Sequence, residues 1–258
     1  MIDLKSISKC SPKKPRIVVY GPSGIGKTTF GASAPNPVFI ITEDGLGDIT
    51  VPHFPLAKTY DDVMGALATL INDDHDFKTL VVDSLDWLEN LVWKKTCERL
   101  KINSIEDIGY GRGYVETMTE WGDFIDALTC LRDRKDMYIV LIAHSAVVKI
   151  EDPIHPAYDR NTFKLHKKIS AKMEEYPDII GFCALRTLLT TEKSGFDKTR
   201  NRAISTGEHV MYISPTASIV AKNRYRMPEV IPLEWDAMEK LLPEDVQKAE
   251  QTKNEKEN

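Results

Sequence analysis

The stretch from Arg16 to Phe30 reads Arg-Ile-Val-Val-Tyr-Gly-Pro-Ser-Gly-Ile-Gly-Lys-Thr-Thr-Phe, and it contains the motif that predicts the fold of the chain. The apolar run Ile17–Tyr20 predicts a short buried strand. Gly21–Thr28 then follows the pattern G-x-x-x-x-G-K-[ST] of a phosphate-binding loop. A chance match occurs on the order of once per hundred chains of this length, and the flanking strand and apolar helix start lower those odds. The stretch therefore predicts nucleotide binding.

The residues of this loop have different chemical tasks. Its glycines allow successive backbone N–H groups to point at phosphate oxygens. Lys27 supplies a positive charge to the outer phosphates, and the hydroxyl of Thr28 suits coordination of Mg²⁺. The helix that begins here adds the positive end of its dipole. The residues predicted to bind ATP are Gly21, Pro22, Ser23, Gly24, Ile25, Gly26, Lys27, Thr28 and Thr29.

The composition is that of a soluble globular protein. The chain has 258 residues, of which 42% are hydrophobic and 28% are charged, so it suffices for one large α/β domain or two small ones. Its net charge of −5 gives no bulk argument for nucleic acid, and any such surface must be local. The cysteines are far apart, which favours free thiols in a reducing compartment. With no apolar N-terminal region and no run that could span a bilayer, we expect a cytoplasmic protein that binds no membrane.

Strand and helix patterns alternate over the first half of the chain. After a mixed leader, residues 1–15, buried strands are predicted at Ile17–Tyr20, Val38–Thr42, Leu80–Ser84 and Met137–Ala143. Helical spacing lies between them, for example at Leu85–Leu100. Strands separated by helices indicate a parallel sheet with crossover connections.

The second half of the chain has a different pattern. Ser145–Pro177 shows no strand signal, only a helix near Leu165–Tyr176. Closely spaced strand signals follow, separated by turn residues, and they predict an antiparallel meander that extends the sheet. These signals are Ile179–Thr190, Arg202–Ser205, Val210–Ile213 and Ser218–Ala221. The predicted domain spans residues 16–242, and the charged tail, residues 243–258, is predicted to be disordered.

Acidic residues at strand ends are the candidates for catalysis. Asp83 ends a buried strand, as the carboxylate that organises Mg²⁺ in a phosphate-loop NTPase does. Many ATPases place a catalytic Glu directly after that Asp, but here the residue is Ser84. The best candidate for the base is Glu43, on a strand that we expect beside the first one. Asp44 and Asp86 are weaker candidates, and the alternative is that residues 42–45 form only a turn.

His144 follows the fourth predicted strand and should lie at the same edge of the sheet. A polar side chain in that place can sense the γ-phosphate. A single histidine is as often an ordinary structural group, and the sequence leaves both interpretations open.

Three segments resemble the core of the RecA-like recombinases in order and spacing. They are Phe39–Glu43, Val81–Ser84 and Ala221–Arg224. The phosphate loop, taken together with Thr42–Leu46 and Gly109–Tyr114, more closely resembles the Sak-type phage ATPases. These are small RecA-like proteins that promote single-strand annealing. The resemblance implies a RecA-like P-loop NTPase fold with helices on both faces of the sheet.

The resemblance also implies roles for residues outside the loop. Lys222 and Arg224 would reach into the ATP site of a neighbouring subunit, which implies a homo-oligomer or filament. Two DNA-binding loops would fall at about residues 103–116 and 145–176, where aromatic and basic side chains suit single strands. The candidates are Tyr110, Arg112, Tyr114, Arg160, Lys164, Lys167, Lys168 and Lys172. The alternative is a flexible loop followed by an ordinary solvated helix face.

The expected function is that of an ATPase that binds single-stranded DNA and promotes annealing in phage recombination. Its expected cofactors are ATP and Mg²⁺, and its partners are single-stranded DNA, further copies of itself and a single-strand binding protein. A motor or loader subunit of a replication machine shares the same core and is an alternative. A nucleotide kinase is another, and it would need a lid with paired arginines, for which Arg132 and Arg134 are the compact pair.

Overall fold

The computed structural model describes residues 13–193 and 199–247, with the backbone alone for 188–193 and 199–205. Strands alternate with helices over most of this length. The strands are β1 (Arg16–Gly21), β2 (Pro37–Ile41), β3 (Thr79–Asp83), β4 (Tyr138–Ile150), β5 (Tyr158–Phe163), β6 (Ile179–Lys193), β7 (Thr199–Tyr212), β8 (Lys222–Asn223) and β9 (Val230–Pro232). The helices are α1 (Lys27–Ala32), α2 (Tyr60–Asn72), α3 (Leu85–Leu100), α4 (Arg112–Glu116), α5 (Met118–Lys135), α6 (Lys167–Glu175) and α7 (Trp235–Glu239).

The strands of the described ranges form one sheet in the order β2-β3-β4-β1-β6-β7-β9. The five from β2 to β6 are parallel, whereas β7 and β9 are antiparallel to their neighbours. In addition, β5 pairs with β4 and β8 pairs with β6, both antiparallel. The predicted α/β fold, with a mainly parallel sheet and a C-terminal antiparallel extension, is therefore confirmed.

The order of the strands decides which of their ends come together. β4 lies between β1 and β3, so Gly21 pairs with His144 and Asp83 with Ile142 at one edge of the sheet. β2 pairs with β3, and two strands separate it from β1. The prediction that the strand of Glu43 lies beside the first strand is therefore wrong. Buried parallel strands are apolar on both faces, so their sequences give no information on their order.

Both faces of the sheet are covered by helices. Along β1, Val18 and Tyr20 belong to the core under α2, α3, α5 and α6, whereas Ile17 and Val19 belong to the core under α1 and α7. This alternation follows from the two-residue period of a strand. Among the described helices, none combines the length and the apolar character needed to cross a membrane.

A hairpin continues the sheet beyond its buried part. β4 runs on to Ile150 and pairs with β5, so the prediction of no strand within Ser145–Pro177 is wrong. The side chains of Val147 and Lys149 are exposed there, and a strand that projects from the core needs no apolar alternation. The helix predicted near Leu165–Tyr176 is confirmed as α6.

The C-terminal strands also differ from the predicted ones. Arg202–Ser205 and Val210–Ile213 were predicted as separate strands, but β7 is one strand through most of both. Gly207, with φ at +79°, lies within it instead of forming a turn, because β6 and β7 pair on both sides of an irregularity in their ladder. Ser218–Ala221 makes only isolated bridges, and the short strands β8 and β9 were not predicted.

The packed part of the chain extends past both predicted domain boundaries. Lys14 is buried, and its ammonium lies 4.6 Å from the ring centroid of Tyr138. At the other end, residues 244–247 are helical and Val246 is buried in the core. The remaining parts of the predicted leader and tail, residues 1–12 and 248–258, lie outside the described residues.

Candidate active site

The phosphate loop connects β1 to α1 and depends on glycine at two places for different reasons. Gly26 has φ at +100°, a left-handed conformation that costs glycine little. At Gly21, a Cβ atom would lie 2.4 Å from the carbonyl oxygen of Cys183 on the neighbouring β6. Any larger residue at position 21 would therefore separate the two central strands.

Lys27 is the first residue of α1, and its side chain is buried at the base of the loop. Its Nζ donates hydrogen bonds to the carbonyl oxygens of Gly21, at 3.1 Å, and Pro22, at 2.8 Å. Burial lowers the pKa of Lys27, which means that the ammonium is incompletely compensated there. A phosphate group is a charged and therefore stronger acceptor than these two carbonyls.

Thr28, on α1, and Asp83, at the end of β3, lie in direct contact, although β4 separates β3 from the strand β1 that precedes the loop. The hydroxyl of Thr28 donates to Oδ2 of Asp83 over 2.7 Å. Burial raises the pKa of Asp83, and the Thr28 hydrogen bond opposes that shift. A hydroxyl and a desolvated carboxylate are ligands that Mg²⁺ prefers, and a cation would compensate the buried charge. The pair therefore fits a magnesium ion that also binds ATP, and the predicted binding of Mg²⁺ by these two residues stays a prediction.

A cavity of about 480 Å³ opens beside the loop. Its lining brings together side chains from the ends of β2, β3 and β4 and from the phosphate loop. They include Ser23, Lys27, Thr28, Thr29, Glu43, Asp44, Asp83 and His144. Glu43 reaches this cavity despite the two intervening strands, because the carboxyl ends of parallel strands meet at one edge. Burial raises the pKa of Glu43, which suits a group that must accept a proton.

His144 is held by Asp86, the second residue of α3. The backbone N–H of His144 donates to Oδ1 of Asp86 at 3.0 Å, and Nδ1 of its ring lies 3.0 Å from Oδ2. With Nδ1–H donated to the carboxylate, Nε2 is the ring nitrogen available to other partners. Asp86 is thus committed to orienting His144, which weakens its candidacy as the catalytic base.

Two parts of the site had no signal in the sequence. Nδ1 of His209, on β7, lies 2.8 Å from the carbonyl oxygen of Ile25 and so supports the phosphate loop from the antiparallel extension. Residues 47–49 complete the cavity wall next to Glu43 and Asp44. The His209 contact joins residues 184 positions apart, and no local pattern encodes such a pairing.

Lys222 and Arg224 lie at the opposite edge of the sheet from the phosphate loop. Asn223, between them, pairs with Ile179 at the start of β6, and Ile179 pairs with Ile17 at the start of β1. The phosphate loop follows the other end of β1. Within one chain, these two basic residues therefore lie away from the ATP site, and their predicted action on a neighbouring subunit stays a prediction.

Both basic side chains have partners in the single chain. Nζ of Lys222 donates to the carbonyl oxygens of Glu174, at 3.1 Å, and Glu175, at 2.6 Å, at the end of α6. Arg224 donates to Oδ1 of Asp178 at 2.9 Å, and its side chain is 52% exposed. A half-exposed guanidinium with one ion pair can still exchange that partner for a phosphate group.

The first predicted DNA-binding loop contains one free aromatic ring and one that is packed. Tyr110 is fully exposed, and Arg112, at the start of α4, is exposed too. Tyr114 instead stacks on His166, with ring centroids 4.0 Å apart and planes at 10°. One face of Tyr114 is therefore already covered, because α4 turns the loop back onto the protein, and a base could stack only after rearrangement.

The basic candidates of the second loop lie on two regular elements instead of a flexible loop. Arg160 belongs to β5 and is partly buried. Lys164 directly follows β5, and Lys167, Lys168 and Lys172 are exposed on α6. The structure therefore presents exposed lysines on the hairpin and helix that follow His144, and their binding of DNA stays a prediction.

A central strand that ends in a glycine loop closed by Lys27, with Thr28 against the strand-end Asp83, defines a P-loop NTPase. A family model described as "AAA domain" matches residues 13–225, most of the chain. The protein therefore belongs to the AAA domain family, a family of P-loop ATPases. It is also similar to the SPbeta prophage-derived uncharacterized protein YorG of Bacillus subtilis (strain 168). The two are 23% identical over 242 residues, which cover 91% of this chain and 68% of that protein.

Proposed function

We propose that this P-loop ATPase binds single-stranded DNA in an ATP-dependent manner and promotes strand annealing during phage DNA recombination. In this proposal the protein is related to the Sak-type phage ATPases and self-associates on DNA. It acts in the host cytoplasm together with a single-strand binding protein. A phage origin is supported by the similarity to the prophage-derived protein of Bacillus subtilis.

The observation that carries this proposal is the continuity of β4. The same strand borders the nucleotide cavity through His144 and then forms the hairpin whose end bears Lys164. A γ-phosphate that moves His144 would thus also move the β4–β5 hairpin, which is continuous in the chain with Lys164. Coupling between two sites requires such a shared element, whose arrangement both ligands can bias.

The proposed reaction is attack of water on the γ-phosphorus of ATP. Glu43 accepts a proton from the water, a bond forms from its oxygen to phosphorus, and the bond to the β-phosphate oxygen breaks, giving ADP and phosphate. Lys27 stabilises the charge on the phosphates, and Thr28 and Asp83 would hold Mg²⁺, which would neutralise part of that charge. Arg224 of a neighbouring subunit would add a further positive charge in the transition state.

The decisive experiment measures ATP hydrolysis with and without single-stranded DNA, together with annealing of complementary labelled strands. We expect DNA to stimulate hydrolysis, and ATP or a non-hydrolysable analogue to change DNA affinity. Lys27→Ala should abolish both effects, because it removes the charge that holds the outer phosphates. Hydrolysis by Lys27→Ala at the wild-type rate would contradict the assignment of the site, and unchanged DNA affinity with ATP would contradict the coupling.

Two alternative functions give different results in the same experiment. Directional unwinding of a forked duplex would indicate a motor or loader subunit. Phosphoryl transfer to a nucleoside monophosphate would indicate a kinase, but the arginine pair proposed for its lid is badly placed. Arg132 lies 3.7 Å from Asp178, which bonds Arg16 at the start of β1, away from the phosphate loop.

A further inference from the structure

A second cavity of about 440 Å³ lies between α3 and the β4–β5 hairpin. Two tryptophans, an amide, a lysine and apolar hairpin residues line it. The residues that matter here are Trp87, Asn90, Trp93, Val148, Phe163 and Lys164. The lining of the nucleotide cavity includes no tryptophan, phenylalanine or side-chain amide, whereas acids and a lysine line both cavities.

Trp87 is the unusual member of this set. Its side chain is 49% exposed, whereas Trp121 and Trp235 are fully buried in the cores. Burial of so large an aromatic surface stabilises a protein considerably, so a half-exposed tryptophan at the mouth of a cavity indicates a binding surface. Trp93, six residues further along α3, is partly buried and packs edge-on against Tyr114, with ring centroids 5.5 Å apart.

We propose that this cavity binds a base of single-stranded DNA, with the base stacked on Trp87 and an adjacent phosphate on Lys164. The inference rests on the proposed function and names a DNA contact within it. Stacking on an aromatic face and an ion pair with the backbone are the two interactions that hold single strands without sequence preference. Asn90 adds an amide that can hydrogen-bond a base edge.

The two acids that also line the cavity do not oppose this ligand strongly. Asp86 is engaged with the backbone and ring of His144. Glu89 accepts the backbone N–H of His166 at 3.0 Å, and burial raises the pKa of Glu89 to about 7. Both carboxylates therefore have donors within the protein, and Glu89 is partly protonated near neutral pH, while Lys164 remains exposed.

The place of this cavity also links it to ATP. Asp86 lines it and holds His144, and His144 lines the nucleotide cavity. One residue pair thus separates the proposed base from the nucleotide. A base that displaces α3 or the hairpin would change the position of Asp86. A γ-phosphate that binds His144 would change the position of the same carboxylate, because the two side chains are hydrogen-bonded.

The test is the affinity for a labelled oligo-dT strand, with a non-hydrolysable ATP analogue present. We expect Trp87→Ala to weaken binding about tenfold, in the range found when one stacking residue is removed. Trp87→Phe should stay within about threefold of wild type, because a smaller ring still stacks. Leu241→Ala, a truncation of another exposed apolar residue, is the matched control and should bind as wild type does.

Tryptophan fluorescence gives a readout that a folding defect would not imitate. Quenching by oligo-dT should be strong in wild type and in Trp93→Phe, and should largely disappear in Trp87→Phe although that variant still binds. Basal ATP hydrolysis should persist in each Trp87 variant, since Trp87 does not line the nucleotide cavity, while stimulation by DNA should fall in Trp87→Ala.

The outcomes separate this inference from the proposed function. A wild-type protein that binds no single strand would overturn both. Wild-type binding with unchanged affinity in Trp87→Ala would overturn the cavity assignment alone. If Trp87→Ala binds DNA normally but fails to self-associate in sedimentation, the cavity takes another protein chain instead, and the inference is equally wrong.

Discussion

Glu43 and Asp83 show how neighbouring acids obtain different chemistry. Burial raises the pKa of both carboxyl groups. Asp83 accepts the hydroxyl of Thr28, which places it in a ligand set for a cation. Glu43 lies in the bend that follows β2 and lines the same cavity, where burial is the largest influence on its pKa. Two carboxyl groups that follow neighbouring strands are thus candidates for different roles, Asp83 as the proposed metal ligand and Glu43 as the proposed base, according to their nearest partners.

Replacing Glu43 by Gln should lower kcat for ATP hydrolysis roughly 100-fold or more, because the attacking water loses its proton acceptor. Binding of a fluorescent ATP analogue should change little, since the amide keeps the shape of the side chain. Asp44→Asn, a neighbouring acid at the same cavity, is the matched control. A Glu43→Gln enzyme with near-wild-type kcat would assign the base to another acid.

The acid limb of the rate profile should report the same group. Glu43 must be ionised to act as a base, and its pKa is raised by burial. As the pH decreases, the wild-type rate should therefore begin to fall at a pH above the ordinary range of a glutamate. The residual rate of Glu43→Gln should lack this limb. If the rates of both proteins fall at the same pH, a group other than Glu43 titrates there.

At the scale of elements, Asp178 joins the starts of two strands to the end of a helix. It precedes β6, accepts both the backbone N–H and the guanidinium of Arg16 on β1, and lies near Arg132 on α5. Arg224 binds the same carboxylate. Burial opposes ionisation of Asp178, but the hydrogen bonds and charges of these arginines prevail and lower its pKa.

Asp178→Asn should therefore destabilise the fold by about 3 kcal/mol, the scale for removing one partner of a buried ion pair. The pKa of Asp178 is lowered in the folded state, so its contribution is complete above the unfolded value and is lost as pH falls through the folded one. Urea denaturation at neutral and acidic pH measures both effects. Asp61→Asn, in an ion pair with Lys95 where Asp61 is 67% exposed, should cost less than about 1 kcal/mol.

At the scale of the whole molecule, the two edges of the sheet carry the two halves of the proposed intersubunit site. The phosphate loop, Glu43 and Asp83 lie at one edge, and Lys222 and Arg224 at the other. A surface with basic side chains and a distant surface with the nucleotide site fit a head-to-tail assembly, which closes into a ring or continues as a filament. The geometry of the single chain is therefore compatible with the proposed intersubunit site.

Mixing two inactive variants tests that assembly. Glu43→Gln lacks the base in its own site, and Arg224→Ala would lack the cation that it supplies to a neighbour. In an equal mixture, about a quarter of head-to-tail interfaces would combine an intact Glu43 with an intact Arg224, so hydrolysis should partly recover. Arg186→Ala, another half-exposed arginine with a surface ion pair, should be active alone. If mixed assemblies form and show no recovery, Arg224 does not act across the interface.

The sequence by itself determined the features that depend on residues close together in the chain, namely the phosphate loop and the residues at the strand ends. Gly21–Thr28 predicted the phosphate loop, and the ends of buried runs predicted Asp83, Glu43 and His144 as residues of one edge. The placement of these side chains around one cavity was predictable because a loop of fixed spacing and a strand of fixed period place side chains locally, whereas their roles stay predictions. The alternation of strands and helices likewise predicted the parallel sheet.

Only the tertiary structure decided how distant segments meet. In the sheet, β4 lies between β1 and β3, and β2 is not a neighbour of β1. His209 contacts the phosphate loop at the carbonyl oxygen of Ile25. The tertiary structure also placed Lys222 and Arg224 at the far edge and formed the cavity at Trp87. Buried strands share one apolar composition, and exposed hairpins need no apolar pattern, so strand order and surface geometry depend on the packing of the whole chain.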